Sequence, residues 1–508
     1  MSSPRPSQDT SRLSQTDVRV NCSDKNSDVT AAFGRALNEK KHDVDVDGKT
    51  ITRHVTHEFD VYGDEEAADI QYRTMVWWKA AALMLAETVS LGILSLPSVF
   101  ATLGIVGGCI LVLTLGAAAT ASGYVIGKFK LRYPHVHNMA DAGEILAGPI
   151  GREFLGAAQV VFMVFICASH VLTGKIAFDT CNSSIPFSVH VPSSHLRLVT
   201  AGASCSVLWA AICAIVSLVC TLPRTLNGMS HMSVISFVSI LAAVFITMIG
   251  VGVTGHTGNI SVTVAPNLSF ANGFLAFTNI IFAYAGHVAF FTFIAEMKVP
   301  EDFPKALYVL QIADTTLYLV VGVVVYAYVG STAVSPALGN TGLTLRKIAY
   351  GIAMPTIIIA GVINGHVCAK MVFIRIFRRD GVKSKHMTSN SLIGWATWVG
   401  ICVAIWVLAF VIAEVIPFFN GLLGIISSMF ATWFTYGISG IFWFYLTPRS
   451  EYWSSTKQKL KALFWGFVIL FCAFVMVAGF YASVASIIDG YKTGGFKGPF
   501  SCTSSALV

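Results

Sequence analysis

From Trp77 onward the chain alternates long apolar runs with short polar stretches. A helix needs about 20 apolar residues to cross the hydrocarbon core of a bilayer. That rule predicts eleven spans, over 77–101, 104–127, 153–175, 199–220, 231–254, 270–297, 306–331, 347–374, 392–413, 415–446 and 461–488. The turn Glu414–Pro417 separates the ninth from the tenth. Residues 1–74 are rich in Ser, Asp, Lys and Arg, with neither a helical nor a strand period, and are expected to form a disordered tail. The expected architecture is an all-α polytopic membrane protein: tail 1–74, ten-helix core 75–446, an eleventh helix at 461–488 and a C-terminal tail at 489–508.

Composition sharpens this reading. The chain is 55% hydrophobic but only 12% charged, with a mean hydropathy of +0.68. A soluble domain carries about 25% charged residues to solvate its surface. Half that charge over 508 residues means that most of the surface faces something other than water. The net charge of +7 falls in short loops, which makes it a topology signal and not a nucleic-acid face.

Lys and Arg are distributed unevenly between the two sides. The even-numbered loops hold sixteen, including Lys128, Arg152, Arg375, Arg379 and Lys457, while the opposite side with the C-terminal tail holds six. The excess predicts a cytosolic N-terminus and an external C-terminus. Candidate glycosylation sites Asn182, Asn259 and Asn267 all fall in loops assigned to the outside. Among the eleven Cys there is no C-x-x-C pair. Cys181 and Cys502, both placed outside, either pair there or remain free thiols.

Two spans contain sequence that a plain lipid-facing helix avoids. In the first, Glu87-Thr-Val-Ser-Leu-Gly-Ile-Leu-Ser-Leu-Pro97 places a carboxylate, hydroxyls, Gly92 and Pro97 near mid-membrane. In the sixth, Phe282-Ala-Tyr-Ala-Gly-His287 interrupts an apolar run. Broken helices at that depth line a cavity or are buried in protein. Interruptions five spans apart are what two inverted five-helix repeats, here 77–254 and 270–446, would require, and they point to a transporter site. Close packing of helices through Gly and Pro is the plainer alternative.

These residues carry a family resemblance. Ser90-Leu-Gly-Ile-Leu-Ser-Leu-Pro97 resembles the G-x-G-I-L-x-L-P motif of the amino acid/auxin permease family, within the amino acid-polyamine-organocation superfamily. Tyr133-Pro134, Ala140-Asp-Ala-Gly143 and Gly148-x-x-Gly151-Arg152 resemble the loop after its second span, and Phe282–His287 resembles its broken sixth span. The run from Trp77 to Pro97 is similar to the fungal neutral amino acid permeases. The resemblance covers about residues 75–488 and implies the leucine-transporter fold with proton-coupled import of neutral, aliphatic and aromatic, amino acids. It also implies that substrate meets Ser90, Leu91, Gly92, Ile93, Leu94, Phe282, Ala283, Tyr284 and Gly286. Ser90 stands where the family motif has its first Gly, which bears on side-chain size. Ala86 and Glu87 stand where sodium-coupled relatives have Asn, which favours protons.

Ionisable groups at bilayer depth are expensive and are functional candidates by default. Glu87, beside the proposed break, either exchanges a proton or holds the helix through a structural hydrogen bond. His287 is the second proton-coupling candidate, and the alternative there is a satisfied interior imidazole. Asp314 and His366 either line the pathway or serve packing. Glu296 reads as an interface ion pair with Lys298, and His170 and Glu414 as residues at membrane edges.

No metal and no cofactor are expected beyond a proton gradient as driving force. An enzyme is not expected, since no metal-ligand His cluster, H-x-x-x-x-D pair or G-x-S-x-G elbow is present. ATP-driven transport lacks a Walker loop. An amino-acid sensor on the same fold and a vacuolar exporter remain open beside import at the plasma membrane.

Overall fold

The computed structural model describes residues 42–44, 50–52, 72–182, 205–224, 226–256, 258–261, 268–379, 382–383, 386, 389–492 and 498–502. The chain divides into two units, Met1–Gly63 and Asp64–Val508. In the first, β1 (His42–Val44) pairs antiparallel with β2 (Thr50–Thr52). The rest of the tail expected at 1–74 lies almost wholly outside the described residues.

The second unit is helical. Its elements are α1 (Trp77–Arg132), α2 (Met139–Asn182), α3 (Ser206–Thr221), α4 (Leu226–Thr254), α5 (Phe270–Ala283), α6 (Phe290–Ala295), α7 (Phe303–Val329), α8 (Leu343–Phe377), α9 (Leu392–Val415), α10 (Phe419–Ile426), α11 (Ile438–Leu446) and α12 (Thr456–Lys492). The remaining strands, β3 (Arg378–Arg379) and β4 (Val382–Lys383), form one short ribbon after α8. Among the described residues eight helical stretches are long and apolar enough to cross a membrane, or nine with the bent α5–α6 pair.

The eleven expected spans differ from this in identifiable ways. Spans 77–101 and 104–127 lie end to end in α1 as two helices meeting at a kink at Gly104 (φ 73°, ψ 172°), a conformation that favours glycine, at the boundary the sequence expects. The loop expected before the third span is helical from Met139 and breaks at Ala147 and Gly148 ahead of Pro149. α3 is a shorter apolar helix of 16 residues.

Large apolar side chains face outward on the peripheral helices, among them Ile215, Val253, Phe467, Leu470 and Val477, each at least 60% exposed. With no water to drive helices together, such faces mark the lipid contact. α1 occupies the interior, packed along α7 and crossed by α5.

Two buried ion pairs stand out among the described residues. Lys175 on α2 donates to both oxygens of Glu414 on α9 at 2.8 and 3.0 Å. Glu414 therefore is not at a solvated edge: it is 1% exposed, and His170 at 3% is buried against the Ile357 carbonyl at 2.7 Å. Glu296 pairs with Lys370 on α8 and not with Lys298, which is exposed. Cys502 forms a disulfide with Cys205, while Cys181 is a free thiol. The pairing draws the C-terminal segment to the start of α3, where Ser206 also donates to the Ser501 carbonyl at 3.2 Å.

Replacing Glu414 with Gln strands the Lys175 charge in an apolar interior and is expected to cost about 3–5 kcal/mol. Thermal unfolding of the purified protein should show a large drop in Tm for Glu414→Gln. The double replacement Lys175→Met with Glu414→Leu should recover most of it.

Candidate functional site

The sixth span is broken where the sequence indicates. α5 ends at Ala283, Ala285–Ala289 forms a tight 3-10 turn, and α6 resumes at Phe290, with a bend of 42° across the break. Side chains from two other helices, and from the break itself, hold the groups that the break releases. The Tyr318 hydroxyl on α7 lies 2.6 Å from the Ala283 carbonyl and 3.1 Å from that of Thr88. Gln159 on α2 donates to the Val288 carbonyl at 3.2 Å. His287 sets its ring nitrogens 2.8 Å from the Ala119 carbonyl and 3.2 Å from that of Tyr284. A neutral imidazole donates to one of these carbonyls, and the cation donates to both. The Tyr284 hydroxyl donates to the Val112 carbonyl at 3.0 Å, beside the Thr315 hydroxyl at 3.2 Å. Tyr318, Gln159, Thr315 and Thr88 were missed at the sequence level; their only signal was polarity inside apolar spans.

The first span is not broken between Glu87 and Pro97. α1 passes through this stretch as helix, which corrects the expectation of an unwound Ser90–Leu94. Pro97 has no N–H for the carbonyl one turn back, yet hydroxyls fold onto the backbone around it. Ser95 donates to the Gly92 carbonyl and Ser98 to that of Ser95, both at 2.8 Å. Such back-bonding lets a helix carry Pro within a membrane. The Ser90 hydroxyl is directed to the Thr356 carbonyl on α8 at 3.5 Å.

The two motif segments meet face to face. A Cβ at Gly92 would lie 2.6 Å from the Ala283 Cα, and one at Gly286 would lie 2.6 Å from Thr88 Cγ2 and 3.1 Å from Glu87 Oε2. Ser90, Leu91, Gly92, Ile93, Leu94, Phe282, Ala283, Tyr284 and Gly286 are all buried along this contact.

Of the proton-coupling candidates, Glu87, Asp314 and His287 are gathered here. Glu87 is 8% exposed; Asn364 lies beside it, and its Oε2 has no hydrogen-bond partner. Asp314 is fully buried with the Thr88 side chain beside it, and among the described residues its carboxylate oxygens make no hydrogen bond of good geometry. His287 is one residue beyond Gly286. His366 lies elsewhere, edge-on to Trp398 with ring centroids 5.2 Å apart.

A cavity of about 430 Å³ opens beside the break, between the end of the first span at Ser98 and Thr102, α5 at Asn272 and Asn279, and the start of α10 at Asn420. Its rim includes exposed Ser331. The other end of these helices is sealed. Met75 pairs through its backbone with Glu296 and Lys298 at 3.0 and 2.8 Å, and Lys370 sits 4.7 Å from the centre of the Tyr72 ring. Among the described residues no group of three or more His, Cys, Asp or Glu could hold a metal ion. Asn182 is exposed at the end of α2, Asn259 is exposed in the irregular segment after α4, and Asn267 lies outside the described residues.

A multi-pass helical bundle, with one span broken at depth and buried carboxylates gathered at the break, fits a membrane transporter. Residues 73–485 match the family described as transmembrane amino acid transporter protein, and the chain belongs to that family. It is 33% identical over 443 residues to the "N amino acid transport system protein" of Neurospora crassa, covering 86% of this chain and 90% of that one. It is 28% identical over 450 residues to a "Transmembrane transporter" of Fusarium pseudograminearum, with 87% and 90% covered. In fold it is similar to MhsT, a structure described as in complex with L-phenylalanine, at a TM-score of 0.53 and 17% identity, over 82% of this chain and all of that one. That likeness is one of fold, and it bears out the leucine-transporter-like, all-helical architecture.

Gly92→Ala forces a methyl group into the Ala283 backbone and is expected to cut amino acid uptake at least tenfold, since helix contacts this close do not repack cheaply. Uptake normalised to inserted protein is the measurement. Unchanged uptake would mean that α1 and the sixth span part more easily than their contact implies.

Proposed function

We propose that this protein imports neutral amino acids, aliphatic and aromatic, by proton symport with alternating access. The observation that carries the reading is Glu87. Its carboxylate is buried and unpaired at Oε2, and it sits against Gly286, where the first span touches the break in the sixth. A carboxylate kept at that depth without a cation to pair it is costly unless it serves a purpose, and proton exchange is the purpose such groups serve in transporters. Asp314, also unpaired, and His287 are its neighbours in the same role. The name of the Neurospora relative supports an amino acid cargo, and the L-phenylalanine of the MhsT structure is compatible with an aromatic one.

The two ends support the alternating-access part of this reading. One end holds a cavity; the other is closed by Met75, Tyr72 and the Glu296–Lys370 pair. We assign the cavity to the outer face of the plasma membrane. The Lys and Arg excess supports this, and so does the disulfide, because Cys205 and Cys502 both fall on the side assigned to the outside and disulfides persist in oxidising compartments. Coupling needs neither metal nor cofactor.

Proteoliposomes loaded at neutral pH and diluted into acid buffer should concentrate labelled leucine or phenylalanine, and collapsing the gradient should abolish accumulation. Glu87→Gln should lower gradient-driven uptake at least tenfold while leaving exchange of internal for external substrate measurable. Uptake indifferent to the gradient would exclude proton symport. Absence of any amino acid uptake by folded protein would leave sensing as the better reading.

A further inference from the structure

The cavity lies outside the segments assigned to substrate above, and its chemistry is specific. Its volume, about 430 Å³, is within the range of ligand clefts, roughly 300–1,000 Å³. Among the described residues no ionisable side chain lines it. Its polar groups are hydroxyls and three carboxamides: Asn272 and Asn279 from α5, and Asn420 from α10. Asn279 is 2% exposed and stands one turn before the break. Its Nδ2 donates to Asn420 Oδ1 at 3.3 Å, while its own Oδ1 is buried without a hydrogen-bond partner. Two primary amides can exchange two hydrogen bonds; this pair makes one, and it is long. A buried acceptor left without a donor is costly and usually has a reason.

We propose that this cavity is a docking subsite for amino acids with a carboxamide side chain, read by Asn279 and Asn420. A carboxamide carries the donor and acceptor pattern that each Asn presents to the other. It can donate to Asn279 Oδ1 and accept from Asn420 Nδ2, so it separates the pair without leaving either amide unpaired. An apolar side chain satisfies neither amide, and a charged one finds no counter-charge in the wall. The Ser98 and Thr102 hydroxyls donate to carbonyls of their own helix at 2.8 and 2.9 Å. Each keeps lone pairs, which suit the substrate ammonium. Because Asn279 lies between the cavity and Ala283, opening the amide pair joins this subsite to the break. The proposal extends the substrate class beyond aliphatic and aromatic side chains, and it rests on the transport reading for its consequence in uptake.

The test compares glutamine with its apolar counterpart norleucine. In proteoliposomes, each competes against labelled leucine for the unmodified protein and for Asn420→Asp, which keeps an acceptor for Asn279 but loses the amide donor. The ratio of inhibition constants, glutamine over norleucine, should rise about tenfold in the variant, the effect of one lost hydrogen bond. An unchanged ratio would overturn the proposal. Independently of transport, Thr102→Cys at the cavity wall provides a label. Millimolar glutamine should slow its modification by a water-soluble maleimide, measured above the unmodified chain, and norleucine should not. Equal protection by both, or by neither, would also overturn the proposal. If leucine uptake is absent but glutamine protects, transport fails and the subsite stands.

Discussion

The structure depends on one rule of the bilayer interior, that every backbone amide and carbonyl must find a partner inside the protein. A helix obeys it automatically; a broken helix does not. The bend at Tyr284–Ala289 releases carbonyls at depth, and the rest of the core is arranged to meet them. Tyr318 from α7, Gln159 from α2 and His287 from the break itself each spend a polar side chain on this task. These bonds fix where α1, α2 and α7 can sit, so the geometry of the site follows from satisfying the break. A protein with no need for a broken span would have no use for a tyrosine or glutamine at those depths.

Much of this was legible in sequence. Apolar run lengths marked where the long helices lie, though not their number, since crossing a membrane sets a length that loops do not share. Phe282–His287 announced its break, because Gly286 beside His287 has no place in a lipid-facing helix. The first span misled for a physical reason. Gly92 and Pro97 usually weaken a helix, but Ser95 and Ser98 return their hydroxyls to its carbonyls and hold it intact. Gly92 serves close approach to Ala283 and not unwinding. Partner choice was beyond sequence altogether. Glu296 has Lys298 two residues away yet joins Lys370, 74 residues on. Cys502 bonds Cys205 across a separation of 297, not Cys181. Such pairings follow from which helices pack, and no local spacing encodes that.

The buried charges sort into two kinds, and the difference carries functional weight. Lys175–Glu414 and Lys370–Glu296 are paired, so their desolvation is offset within the protein. Both tie distant helices together, α2 to α9 and the end of the broken span to α8. Glu87 and Asp314 face no cation in a comparable bond, and oxygens of both remain unsatisfied. Two carboxyl groups this deep cannot both be ionised without a partner. A group whose charge is resolved by a fixed ion pair holds the scaffold. A group whose charge can be resolved only by something that comes and goes belongs to the working part.

This separation also explains why the space lies where it does. The motif residues of the first and sixth spans are in contact, with Gly92 against Ala283 and Gly286 against Thr88, and leave no room between them. The room is one turn away, beside Asn279, at the end of the bundle opposite the Met75 closure. The Asn279–Asn420 bond stands at the cavity side of the break, and the Glu296–Lys370 pair at the other end. The first obstacle is a single neutral hydrogen bond, and the second is a buried ion pair with backbone bonds beside it. On the proposed transport reading, unequal barriers of this kind would keep the protein closed on one side while it loads from the other.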